Sequence, residues 1–160
     1  MMETRTLQLQ PKDSRRYFML PQAPEDAGYY VYGTPGNGAF QYAHPLMMTA
    51  ILRVEREWQA VDNRKFGVGN ISLAGGIANK DHATHRSGLE VDVRPLRKDG
   101  LEIPVYWSQK KEYDKDATAR LIDMFRTFAS VELIYFNGPD IPFVTPLADH
   151  DNHFHVLLRS

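Results

Sequence analysis

The sequence carries six histidines, and five of them fall in two short segments. The first reads His82-x-x-His85-x-x-Gly88-x-x-x-Asp92, and the second His150-x-x-His153-x-His155. Imidazoles gathered in this way beside a carboxylate are the material of metal ligation or of proton transfer. Cysteine is absent, which excludes cysteine-based zinc fingers, thiol nucleophiles and disulfide frameworks. Any metal chemistry must therefore use nitrogen and oxygen donors.

The elements that must position these groups can be read from the alternation of side chains. From Gly88 to Arg94, Leu89, Val91 and Val93 alternate with Glu90, Asp92 and Arg94, the pattern of a half-buried strand ended by Pro95. From Asn152 to Leu158, His153 and His155 share one face of a strand while Phe154, Val156 and Leu158 point into a core. Two such strands side by side bring a carboxylate and two imidazoles together, and His85, in the loop entering the Asp92 strand, can add a third donor ring. Two histidines and one carboxylate with an open position are the donor set of a catalytic zinc site. Zinc lowers the pKa of bound water from ~16 toward ~7 and polarises a carbonyl. A nearby imidazole that does not bind the metal can accept and return protons.

These two motifs resemble those of the penicillin-insensitive murein endopeptidases, within the wider superfamily of lysostaphin-type, D-Ala-D-Ala and hedgehog-type zinc peptidases. The similarity extends to the segments 28–33, 41–45 and 68–72, and so covers roughly residues 28 to 159. The resemblance implies one zinc ion per chain held by His85, Asp92 and His155, with His153 as the unligated catalytic histidine. It places His82 and His150 among the extra active-site histidines that orient substrate or share protons. The implied activity is hydrolysis of the D-alanyl–meso-diaminopimelyl cross-link between peptidoglycan stems, on a small antiparallel sheet with helices around it. Two rival readings are a D,D-carboxypeptidase trimming terminal D-alanine, with Arg86 or Arg94 binding the free carboxylate, and a non-catalytic metal-carrying wall-binding module. Retention of His153 speaks against the second.

Around the site, the spacing of Met47, Ala50, Ile51, Val54 and Trp58 predicts an amphipathic helix from Pro45 to about Ala60. A second helix, with Leu121, Met124, Phe125 and Phe128 on one face, is expected behind Asp116 as its cap. Strands are expected at 28–33, 66–73, 101–107 and 131–136, with the proline-bearing stretch 1–27 as an extended arm on the surface. The expected class is α+β: one domain over residues 1–160, with a mainly antiparallel sheet and two main helices. His44, before Pro45, reads as structural. Glu90 and Arg94 read as an exposed charge pair, Asp81 and Asp151 as imidazole acceptors or plain loop polarity, and Tyr29, Tyr30, Tyr32 and Trp58 as core.

A net charge of −1 offers no basic stripe for nucleic acid, and no apolar run approaches the roughly 20 residues that span a bilayer. The segment Met1 to Asp13 is polar and has no apolar signal region. Secreted members of the family carry a leader, so action in the periplasm or cell wall implies either a removed leader or a non-Sec route. A phage lysis enzyme and a contact-dependent antibacterial toxin both fit, and the toxin would require an immunity protein in its producer.

Overall fold

A computed structural model describes residues 9–33, 36–78 and 84–160. Seven strands and two long helices follow in the order β1 (Phe18–Met19), β2 (Tyr29–Val31), β3 (Tyr42–Ala43), α1 (Pro45–Gln59), β4 (Phe66–Val68), β5 (Glu90–Val93), α2 (Lys115–Phe128), β6 (Val131–Tyr135) and β7 (Phe154–Leu158). A 3₁₀ turn at Ala74–Gly76 precedes the loop into β5. The fold is α+β, with a mixed five-stranded sheet in the order β2-β4-β5-β7-β6 and a small β1-β3 pair.

Among the paired strands described in the main sheet, β2 and β4 run parallel, because the crossover between them carries α1 back along the sheet. The other three pairings of the main sheet are antiparallel. Helix α1 starts where Pro45 occupies the first turn and the His44 ring nitrogen Nδ1 accepts from the Leu46 N–H at 3.0 Å. Its buried face is Met47, Ala50, Ile51, Val54 and Trp58. Helix α2 is capped by Asp114, whose carboxylate accepts from the Ala117 N–H at 3.0 Å. Asp116, expected as the cap, lies in the first turn, where a carboxylate still complements the helix dipole. One aromatic chain welds both helices to one sheet face: Trp58, Phe66, Phe125 and Phe154 meet ring to ring at 6.1–6.4 Å. Val91, Val93 and Val156 fill the same core with no exposed surface.

One expected strand is absent for a local reason. Residues 101–107 form no strand: Pro104 removes a ladder donor, and 101–104 stand in solvent. From residue 9 on, the arm also packs into the fold, since Leu20 is fully buried and Met19 pairs with Tyr42. Among the described residues no helix is long and apolar enough to cross a membrane.

Candidate metal centre

The second face of the sheet is where the polar halves of β5 and β7 meet. Their register sets Asp92 directly opposite His155, with Val91 opposite Val156 on the core side. Asp92 Oδ1 lies 3.2 Å from His155 Nδ1 and 3.3 Å from His85 Nε2. The three donor atoms all fall within 4.8 Å of one another, and this group can hold a metal ion. Bonds of about 2.0–2.1 Å in a tetrahedron place neighbouring donors roughly 3.3 Å apart, so both measured separations suit one shared ion.

The outer ring nitrogens are tied down as a metal-binding histidine requires. His85 donates its Nδ1–H to the Ile71 carbonyl at 3.1 Å, which turns Nε2 to the site. His155 donates Nε2–H to Glu90 at 3.0 Å, which turns Nδ1 to the site. Glu90 also accepts the backbone N–H of His85 at 2.8 Å, so one carboxylate braces both rings' segments. That backbone needs bracing, because His85 adopts φ 61°, a left-handed conformation that a side-chain-bearing residue adopts at a cost.

Glu90 therefore does not form the expected charge pair with Arg94. Arg94 instead lays its guanidinium over the Tyr32 ring at 3.8 Å. The same-face position two residues before Asp92 was the visible signal for Glu90, but only the cross-strand register shows which ring it meets.

Electrostatics follow from this geometry. Burial opposes ionisation of Asp92, yet hydrogen bonds from His155 and His85 hold its carboxyl far below the usual carboxylate range. Burial likewise opposes charging of His155, but hydrogen bonds to Asp92 and Glu90 raise its pKa to about 9. Two ionised carboxylates on one imidazole make a site that favours positive charge, whether a proton or a metal cation. His153 goes the other way: burial pushes its pKa below the usual histidine value, against the pull of Asp92. It thus stays neutral near pH 7, with Nε2 3.8 Å from Asp92 Oδ1 and Nδ1 2.9 Å from Asn152 Oδ1.

His150 joins the same cluster. Its ring lies 4.8 Å from that of His153 and 5.8 Å from that of His155, and its Nδ1 is 2.9 Å from the Ala148 carbonyl. His82 lies outside the described residues, as does Asp81. Asp151 points elsewhere, accepting from Trp107 Nε1 at 2.8 Å and Asn137 Nδ2 at 3.2 Å. His44 serves as the α1 cap, and Tyr29 and Trp58 are core.

No protein-family model matches this chain, and no curated protein matches it in sequence.

The arm contributes a second support that the sequence pattern did not reveal. Arg15 donates to the Arg86 carbonyl at 2.6 Å, the Leu73 carbonyl at 3.0 Å and Ser72 Oγ at 2.9 Å. Arg86 follows His85 in sequence, and Ser72 and Leu73 follow Ile71, the residue that orients its ring. Asp13 fixes Arg15 through bonds of 2.9 Å and 2.7 Å.

Proposed function

We propose that this chain is a zinc-dependent peptidoglycan endopeptidase that hydrolyses the D-alanyl–meso-diaminopimelyl bond between peptide stems. The observation that carries the reading is the three-donor cluster with both outer nitrogens occupied and a further histidine, His153, beside it. Two imidazoles whose nitrogens lie 3.2–3.3 Å from one carboxylate oxygen favour zinc over the harder, oxygen-preferring cations. When bound, zinc would acidify water and polarise the scissile carbonyl.

The chain's own residues supply the rest. His85, Asp92 and His155 hold the ion, and Glu90 and the Ile71 carbonyl fix the two rings. His153, neutral and next to Asp92, takes the proton from the attacking water and returns it to the leaving nitrogen as the C–N bond breaks. His150, its ring 4.8 Å from that of His153, lies where it can orient substrate or relay that proton. Choice of the peptidoglycan stem as substrate rests on the resemblance of the two histidine motifs to the murein endopeptidases. Action at the wall places the protein in the periplasm or outside the producing cell, as a lysis enzyme or an antibacterial toxin with its own inhibitor.

The test is a muropeptide profile of Gram-negative sacculi incubated with the zinc-loaded protein, with and without a chelator. Loss of cross-linked dimers with matching growth of monomers, no free alanine, and suppression by the chelator are expected. Release of free alanine would replace the reading with a carboxypeptidase. An unchanged profile from folded, zinc-loaded protein would refute hydrolysis of the wall.

A further inference from the structure

Beyond the metal donors, the polar face of the sheet holds a second arrangement. Strand β4 pairs Val68 with Val93 of β5, which places Gly69 opposite Asp92 and Gly67 opposite Arg94. Both positions must be glycine. A Cβ on Gly69 would stand 2.6 Å from the Tyr32 ring, and one on Gly67 would stand 2.8 Å from Tyr30 Oη. The rings of Tyr30 and Tyr32 thus lie flat across β4 and reach toward β5. Arg94 rests on them, with its guanidinium carbon 3.8 Å from the Tyr32 centroid and 5.9 Å from that of Tyr30.

Stacking uses the faces of a guanidinium, and one N–H group meets the Tyr30 hydroxyl, which leaves the other in-plane donors for a ligand. The contrast with other partly covered arginines is sharp. Arg15, Arg64, Arg97 and Arg126 each have an aspartate partner at 2.6–3.5 Å. Arg94, half-buried as well, has no carboxylate partner among the described residues. A guanidinium so placed carries a desolvation cost that an anionic ligand would offset.

Its position says which ligand. Arg94 follows Asp92 by two residues on the same face, about 7 Å along the strand. Continuing the β5–β7 register by one residue past Val93 and Phe154 sets it across from His153. The donors therefore flank the reacting centre on the His153 side, within one peptide residue of the bond cut.

We propose that Arg94, held by Tyr32, binds the free carboxylate of the residue on the leaving side of the scissile bond and makes this enzyme selective for it. The inference rests on the peptidase reading above. In the proposed cross-link the carbon bearing the scissile nitrogen also carries a carboxylate, which the planar guanidinium engages with two parallel N–H donors. Amidation of that group removes its charge and one acceptor oxygen, so an amidated wall is a poor substrate.

The test uses two matched cross-linked peptides, one with this carboxylate free and one with it as the carboxamide. Zinc-loaded wild type is expected to prefer the free acid by about ten- to hundredfold in kcat/KM, carried mainly in KM. Arg94→Gln should lower kcat/KM on the acid far more than on the amide, so that the two peptides are cut about equally; Arg94→Lys should restore part of the preference. Preference retained in Arg94→Gln, or equal loss on both peptides, overturns the inference. A parallel binding measurement uses the same pair with the scissile amide reduced so that it cannot be cut. If wild type cuts neither peptide yet binds the acid more tightly, and Arg94→Gln does not, the peptidase reading falls and the carboxylate site stands. If wild type cuts both without preference, the peptidase reading stands and the carboxylate site falls.

Discussion

Asp92 and His155 face each other across the antiparallel pair β5–β7, with Asp92 Oδ1 3.2 Å from His155 Nδ1. Two donors thus come from the rigid centre of the sheet, and only His85 comes from a loop. A site built on paired strands loses the ion when either donor goes, while the core on the other face is untouched. His155→Ala and Asp92→Ala are each expected to abolish stoichiometric zinc binding with near-native circular dichroism. Chelator competition on the purified variants checks this, and retention of wild-type affinity by either would remove that residue from the ligand set.

Glu90 is expected to matter almost as much, although it touches no metal. Its carboxylate fixes the His155 ring at 3.0 Å and the His85 backbone at 2.8 Å. Loss of such outer support costs a metal site about ten- to a hundredfold in affinity. Glu90→Gln should show that drop in a chelator titration, while Glu102→Gln, on an exposed loop, should show none.

The two cases mark what the sequence could and could not reveal. Strand alternation identified the face of Asp92 and of His155, and the periodicity of Met47 to Trp58 identified α1, because each depends on neighbours in the chain. The partner of Glu90 depends on pairing with β7, more than sixty residues away. An i, i+2 pair with Arg94 looked sufficient on local grounds, yet each member had a better partner across the sheet. The same holds for Arg15, whose bonds to Arg86 and Leu73 span 71 and 58 residues. At α2, two aspartates stood within one turn, and backbone geometry rather than residue type chose Asp114 as the cap.

His153 separates metal binding from turnover. Burial keeps it neutral near pH 7, the form a general base needs. His153→Ala should bind zinc with affinity within a few-fold of wild type and lose about 10²–10⁴-fold in kcat on sacculi or peptide dimers. Metal content and single-turnover rates measured on one preparation decide it. A variant that loses zinc would make His153 a ligand, and one that keeps full activity would leave it without a chemical role.

Acid should loosen the arm that supports the His85 loop. The Asp13 carboxylate is buried, which opposes ionisation, but it accepts from the Arg15 side chain and from the backbone N–H groups of Gly75, Tyr17 and Arg15, and its pKa falls below the ordinary value. A carboxyl whose folded pKa is depressed adds stability that is fully present above the unfolded value near 3.8 and is lost as pH falls through the folded one. Asp13→Asn removes that charge at every pH. At pH 7 the variant should be less stable than wild type by about 1–3 kcal/mol, and the gap should close as the pH is lowered below about 4. Urea unfolding of both proteins at pH 7 and pH 3 measures it. An equal gap at both values would mean that Asp13 acts through shape and not through charge, and the arm would then hold His85 equally well in acid.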